Sequence, residues 1–306
     1  MLSHKRTFRF ALALLAAGTV ALTSCRRAAE ITQEPIVSTD WVAEHLGRDE
    51  LVLIHVGPPE GYQAGHLPGA RYLDLQMIST APEEGLTLEM PPVTELERTF
   101  EALGISDDSR VVVYFTGNWV APAARVFLTL DYVGLGSRTS VMNGGLSAWM
   151  VEGRRVTTEL PAVASGDLTP HLRTDVVTKA DWVIAHREDP NVAILDARPA
   201  EYYTGASSRP DMRAGHIPGA HSLPFTSLVG PTLEFKDRET LSQTFLAAGV
   251  EPGDRVVSYC FIGQAASVVY LAARQLGYEA SVYDGSFQEW SGRTDLPVAA
   301  PAAVAE

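Results

Sequence analysis

The stretch Val256-Val257-Ser258-Tyr259-Cys260-Phe261-Ile262-Gly263-Gln264-Ala265-Ala266-Ser267 carries the residues best suited to chemistry, because a short β-branched run ends at a cysteine and turns through a glycine into a helix. A thiol at the C-terminal end of a strand, facing the first turn of the next helix, meets unpaired backbone N–H groups and the positive end of the helix dipole. Both lower a cysteine pKa and favour the thiolate. Gly263 lets the loop take a positive φ or bring its backbone close to the sulfur, which a Cβ would hinder. The N–H groups of Phe261, Ile262, Gly263, Gln264, Ala265 and Ala266 then form an anion cradle.

Cysteine usage sharpens the case. The chain has two cysteines, Cys25 and Cys260. Lys5, Arg6 and Arg9 followed by the apolar run Phe10 to Leu22 read as a signal peptide over residues 1–24, too short to span a bilayer comfortably. It ends Leu22-Thr23-Ser24-Cys25, which resembles a bacterial lipobox, in which the cysteine becomes the lipidated first residue. Lipidation would consume Cys25 and leave Cys260 as the one thiol, unable to form an internal disulfide: either a buried small hydrophobe or a reactive group.

The chain is 306 residues long, with 46% hydrophobic and 20% charged residues, an ordinary globular composition with room for two domains. The formal net charge is -13, and the three cations of the signal segment leave -16 on the remainder. No basic tract survives there, which argues against nucleic acid and against electrostatic attachment to anionic lipid. Membrane association rests on the lipid alone, and the expected place is the cell envelope, facing the periplasm if the envelope is Gram-negative.

The elements that must position the cysteine recur twice. Asp40 to Leu46 reads as a helix, Leu51 to Val56 as a strand, and Thr94-Glu95-Leu96-Glu97 as a capping box opening a helix to about Leu103. Val111 to Phe115 is a buried strand, Pro122 to Val133 a helix with Gly134 at its end, and Leu146 to Val151 a short helix. The same order then returns. Gly65-His66-Leu67-Pro68-Gly69-Ala70 reappears as Gly215-His216-Ile217-Pro218-Gly219-Ala220, and Val111 to Phe115 as Val256 to Cys260. Asn143-Gly144-Gly145-Leu146-Ser147-Ala148-Trp149 reappears as Asp284-Gly285-Ser286-Phe287-Gln288-Glu289-Trp290. The expected layout is a signal peptide at 1–24, the cysteine and a tether at 25–36, a first unit at 37–156, a Pro/Ser/Gly/Thr-rich linker at 157–174, a second unit at 175–298, and an Ala/Pro-rich tail at 299–306. Apolar strands alternating with helices imply an α/β fold, with a mostly parallel sheet in each unit covered by helices on both faces. Active sites in such sheets lie at the carboxyl ends of strands, where Cys260 falls.

Two such units, with G-H-[LI]-P-G-A in each, Asp196-Ala197-Arg198 after a strand, and a cysteine loop followed by Asp284-Gly285-Ser286 and Trp290, resemble the tandem rhodanese sulfurtransferases over about Val37 to Val298. The resemblance implies an inactive first domain and a catalytic cysteine in the second. Here Phe115 aligns with Cys260, His55 with Asp196 and Gly57 with Arg198, so the first unit lacks nucleophile, acid and cation together. The implied mechanism is attack of the Cys260 thiolate on a sulfur donor, a persulfide intermediate, and delivery to a thiophilic acceptor such as cyanide or a thiol. The backbone N–H groups from Phe261 to Ala266 act like an oxyanion hole.

Arg198 matches the arginine that family members use to bind an anionic donor, with Asp196 in support; its alternative is a structural ion pair. Twenty positions separate Asp196 from His216 against eleven between His55 and His66, and the extra residues carry Arg209 and precede Arg213. Phe261 and Ile262 replace the basic or Gly-Ser residues usual in the family's loop, which leaves the donor open, with thiosulfate favoured over 3-mercaptopyruvate. His66 and His216 read as structural, no cluster has zinc-like spacing, and no dinucleotide fingerprint is present, so neither metal nor cofactor is expected. A thiol phosphatase would need an arginine where Ala266 stands. The rival from another class is a non-enzymatic persulfide carrier or an envelope redox or interaction module on the same scaffold.

Overall fold

The computed structural model describes residues 34–81 and 85–299. The expected signal segment, the lipobox-like stretch with Cys25, and most of the expected tether and tail lie outside the described residues. The first half runs β1 (Ile36–Val37), α1 (Thr39–His45), β2 (Leu51–Val56), α2 (Pro59–Ala64), β3 (Arg71–Leu73), α3 (Val93–Ala102), β4 (Arg110–Phe115), α4 (Ala121–Tyr132), β5 (Thr139–Met142) and α5 (Gly145–Val151). The second half repeats it with β6 (Val177–Thr178), α6 (Ala180–His186), β7 (Val192–Asp196), α7 (Ala200–Tyr203), β8 (His221–Ser222), α8 (Arg238–Ala247), β9 (Arg255–Tyr259), α9 (Ala266–Leu276), β10 (Glu279–Tyr283) and α10 (Ser286–Gly292). The sheets have the matching orders β1-β5-β4-β2-β3 and β6-β10-β9-β7-β8, and every pairing is parallel. This is the α/β architecture expected, two five-stranded sheets each with helices on both faces.

Side chains on a strand alternate between its two faces, and here the two faces have different partners. Val111, Val113 and Phe115 of β4 and its end join a core cluster that also holds Val256 and Cys260 from the second half. Val112 and Tyr114 face an outer cluster closed by Val42 of α1 and Trp149 of α5. Val257 and Tyr259 face its counterpart, closed by Val183 of α6 and Trp290 of α10. Cys260 therefore looks inward, toward the surface where the halves meet.

Two helices form most of that surface. Every residue of α9 from Ala266 to Ala273 is buried, and so is α4 from Ala123 to Asp131. A helix buried all round must be apolar all round, because one side lies on its own sheet and the other on the neighbouring helix. One exception is a charged knot. Asp131 of α4, fully buried, accepts Arg173 Nη1 at 2.8 Å and Tyr270 Oη at 2.5 Å, and pairs with Arg274. It ties α4 to α9 and to the connection between the halves.

One sequence expectation needs correction. Helix α3 starts at Val93 with Pro92 at its N-cap and no side-chain cap, so Thr94 and Glu97 do not form a capping box. The fixed φ of Pro92 already sets the entry to the helix, which moves the start ahead of Thr94. At the end of the expected tether Ile36 is in β1, and Val141 N donates to Pro35 O at 2.8 Å. Residues 157–174, between the two units, have partners in the first half. Thr157 bridges His66, Gly166 N donates to Glu101 O at 2.8 Å, His171 N to Val133 O at 2.9 Å, and Leu168 is buried. The connection lies along the first half and satisfies its backbone there.

Candidate active site

Cys260 directly follows β9, the central strand of the second sheet, and is 2% exposed. Its backbone is held from two sides by the turn after β10. Cys260 N–H donates to Ser286 Oγ at 3.2 Å, and Cys260 O accepts Phe287 N–H at 2.9 Å. Ser286 Oγ in turn donates to Tyr283 O at 2.8 Å. Ser286 has a φ of 49°, a left-handed conformation that costs a residue with a Cβ about 1–2 kcal/mol. The equivalent residue in the first half is Gly145, with a φ of 57°. Serine in place of glycine is the one change in that turn that adds a hydrogen-bonding group beneath the cysteine, and comparison of the repeats alone could have singled it out.

Past Cys260 the chain turns through Phe261, Ile262, Gly263, Gln264 and Ala265 into α9 at Ala266. Among the described residues no acceptor meets the backbone N–H of any of the six residues from Phe261 to Ala266. These donors follow directly on the thiol and include the unpaired first turn of a helix, where a negative charge is favoured. Gly263 has a φ of 81°, and a Cβ on it would stand 3.0 Å from Asp284 O and 3.1 Å from Arg125 Nη1. Glycine is needed there for both reasons. The loop is pinned from within, by Ser267 Oγ donating to Gly263 O at 2.9 Å and Ser258 Oγ to Ala266 O at 2.9 Å.

Asp196 and Arg198 come together as a pair. Arg198 Nε donates to Asp196 Oδ1 at 2.9 Å, Nη2 donates to Asp196 Oδ2 at 2.6 Å and to Gly215 O at 2.8 Å, and the guanidinium lies 3.9 Å from the ring centre of Phe287. Both side chains are buried. Burial works against the charge of Arg198, but the bonds to Asp196 outweigh it and hold the guanidinium above its ordinary value. Tyr259 Oη donates to Asp196 Oδ2 at 2.8 Å; burial and the neighbouring carboxylate push its hydroxyl well above its usual range, so it stays a donor. This arrangement is the structural ion pair weighed against donor binding for Arg198. Only Nη1 has no acceptor among the described residues.

The two loop arginines separate in role. Arg213 donates to Ser291 O at 2.9 Å, Leu296 O at 2.9 Å and Trp290 O at 2.7 Å, and staples α10 to the chain beyond it. Arg209 stands 5.0 Å from the ring centre of Phe261, with its side chain 46% exposed. Tyr202 meets Phe261 edge-on at 4.8 Å. Arg209 also lies 4.0 Å from the exposed Asp211, but an exposed guanidinium over the aromatic residue next to the cysteine is more accessible to an incoming anion than a buried one.

The first half reaches the same site from below. Its strap 85–90, with Leu88 at a φ of 63°, brings Met90 N–H to Asp284 Oδ2 at 2.8 Å and Thr87 N–H to Gln288 Oε1 at 3.0 Å. The second half returns the contact, with Leu233 at a φ of 68° and Phe235 N–H donating to Asn143 Oδ1 at 2.7 Å. Arg125 of α4 adds a buried ion pair to Asp284 at 2.6 Å.

In the first half the strand register places His55 beside Tyr114 as Asp196 is placed beside Tyr259. Tyr114 Oη accepts Leu67 N–H just as Tyr259 Oη accepts Ile217 N–H. Phe115 occupies the place of Cys260, and its ring lies 3.0 Å from where a Cβ on Gly145 would stand. His55 is fully buried; burial first, and the neighbouring His66 second, lower its pKa to about 4. His66 and His216 are framework residues, each with Nδ1 against a tyrosine carbonyl at 2.8 Å and its ring stacked on that tyrosine.

The chain matches the rhodanese-like domain twice, over residues 38–152 and 179–293. It is 32% identical over 258 residues to the thiosulfate sulfurtransferase of Azotobacter vinelandii, covering 83% of this chain and 92% of that protein. It is 34% identical over 281 residues to the sulfur carrier protein TtuD of Thermus thermophilus, covering 87% and 96%. Among solved structures it superposes on SseA of Escherichia coli, a 3-mercaptopyruvate sulfotransferase, with a TM-score of 0.72 at 28% identity, covering 83% of this chain and 99% of that one.

Proposed function

The chain belongs to the rhodanese family, and from that premise we propose that it moves sulfane sulfur from an anionic donor to a thiophilic acceptor through a persulfide on Cys260. The observation that carries this reading is the run of six backbone N–H groups, Phe261 to Ala266, without acceptors among the described residues, immediately beyond the thiol. They are placed for an anion, and both the thiolate and its persulfide are anions. The thiolate attacks the outer sulfur of the donor, the S–S or S–C bond breaks with its electron pair leaving on the departing group, and the acceptor then removes the terminal sulfur and returns the thiolate.

Arg209, exposed by Phe261, is the cation we assign to the donor's negative group; the buried guanidinium of Arg198 lies 5.5 Å from the centre of the same ring. Thiosulfate is the favoured donor over 3-mercaptopyruvate. The likeness to a sulfur carrier protein supports a second reading, in which the persulfide forms but the acceptor is another protein rather than a small thiol.

Intact mass of the protein before and after thiosulfate or 3-mercaptopyruvate, followed by cyanide, tests the proposal. A gain of one sulfur that cyanide removes supports it, and the same experiment on Cys260→Ser should show no gain. No gain from any donor would sink it. Slow turnover with cyanide and small thiols despite full loading favours the carrier reading.

We also propose that the protein is exported and held to the membrane through a lipid on Cys25. Cys25→Ser should move it from the membrane fraction to the soluble fraction; equal partition of both proteins would rule the anchor out.

A further inference from the structure

One charged contact beneath the cysteine loop has no part in the proposed transfer. Arg125 belongs to α4 of the half without a thiol and is fully buried. Its Nη1 donates to Asp284 Oδ1 at 2.6 Å and its Nη2 to Leu88 O at 2.5 Å, while Nε has no partner among the described residues. Desolvating a guanidinium and leaving one of its N–H groups unpaired is costly, and a buried ion pair is often replaceable by apolar residues without loss of stability. Stability is therefore a poor account of this arginine.

Its position offers a better one. Nη1 is 3.1 Å from where a Cβ of Gly263 would stand, and Asp284 O is 3.0 Å from the same point. The middle of the cysteine loop thus rests directly on the Arg125–Asp284 pair. Asp284 also opens the turn whose Ser286 holds the N–H of Cys260. A second observation concerns the repeat. Arg125 stands four residues into α4, which starts at Ala121, and Tyr270 four residues into α9, which starts at Ala266. The halves carry equivalent helices, yet the arginine occurs only on the one that faces the loop with the thiol. Tyr270 turns instead to Asp131.

We propose that Arg125 is a positioning residue for the reaction: acting through Asp284 and Gly263, it sets the height of the loop so that the backbone N–H groups converge on the sulfur of Cys260. The half without a nucleophile thereby supplies part of the active site of the other. This inference rests on Cys260 being the reacting group. Arg125 touches neither donor nor sulfur, so its loss lowers the rate of reaction at Cys260 without weakening donor binding.

The test uses the full chain with Arg125→Met, Arg125→Lys, Asp284→Asn and the double variant Arg125→Met/Asp284→Asn. Two rates are read, the alkylation of Cys260 by iodoacetamide followed by peptide mass mapping, and steady-state transfer from thiosulfate to cyanide. Circular dichroism and the unfolding midpoint show that each variant is folded. Arg125→Met and Asp284→Asn are each expected to slow alkylation and lower kcat by about tenfold or more, with KM for thiosulfate within about twofold. The double variant should be no slower than the slower single one, because both act through one contact. Arg125→Lys should recover part of the loss. Wild-type rates in a folded Arg125→Met or Asp284→Asn protein, or losses that multiply in the double variant, overturn the proposal. If Arg125→Met does not fold, Asp284→Asn and the double variant decide it by the same rates. Alkylation needs no sulfur transfer, so a wild-type protein that takes up no sulfur but shows this pattern rejects the transfer reading and keeps the positioning one.

Discussion

The hydroxyl of Ser286 accepts the backbone N–H of Cys260. That N–H is therefore occupied, and the donors left for a charged sulfur are those further along the loop, from Phe261 onward. The contact fixes the chain just past β9, where the loop toward α9 begins. It is secured at the cost of a left-handed serine, so position 286 separates backbone strain from side-chain function.

Ser286→Ala keeps the unfavourable φ and removes the hydroxyl; Ser286→Gly removes both. The glycine variant should be more stable than the alanine variant by about 1 kcal/mol in chemical denaturation. Both should lose between about tenfold and a hundredfold in turnover, because Cys260 N–H loses its acceptor. Wild-type turnover in the glycine variant would show that the hydroxyl has no role in placing the thiol.

Arg198 and Arg209 should fail in different ways. Arg209→Ala is expected to raise KM for thiosulfate several-fold and leave the unfolding midpoint unchanged, since the side chain is exposed. Arg198→Ala leaves the Asp196 carboxylate buried without its cation and should cost about 3–5 kcal/mol of stability. Kinetics and denaturation on the two variants check this. A raised KM in Arg198→Ala with unchanged stability would return the donor to the buried arginine.

Phe115→Cys should not yield a second sulfur site. His55 and Gly57 stand where Asp196 and Arg198 would be, and Gly145 supplies no hydroxyl under the new thiol. Intact mass after thiosulfate should still show one added sulfur, at Cys260, with stability lower by about 3 kcal/mol from the lost ring. Two added sulfurs would contradict this.

His55 should make stability depend on pH. It titrates near its ordinary value of 6.5 when unfolded and at about 4 when folded, so between these values the unfolded chain binds more protons. Its contribution is complete above pH 6.5 and is lost as pH falls toward 4, up to about 3 kcal/mol. His55→Gln should flatten that part of the curve of unfolding free energy against pH. An identical curve would mean that His55 is not neutral and buried in the folded protein.

Much of this was legible in the sequence because the repeat displays it twice. The strand Leu51–Val56 and the buried Trp149 and Trp290 follow from β-branched runs and from matching positions in the two copies. The strands β1 and β6 were not legible, since two residues carry no period and form only because a neighbouring strand offers its edge. Arg125 escaped notice for another reason: its partner Asp284 lies 159 positions away, and nothing local in α4 marks the pairing. The pairing geometry of Arg198 was not legible from residue type. A guanidinium two residues from a carboxylate at a strand end can face outward to a ligand or turn back on its neighbour, and the choice depends on Phe287 and Gly215, which come from elsewhere in the chain.

The core cluster that contains Cys260 also contains β2, β4 and α4 of the first half. Two copies in sequence are thus one unit in folding. Cutting the chain between them would leave α9 with one bare apolar side and the buried Asp131 knot without its arginine and tyrosine partners, so the thiol-bearing half is not a transplantable module. The shared interior binds the first copy to the second: substitutions in α4 must keep its packing on α9 and the contact of Asp131 with Tyr270 of the other copy.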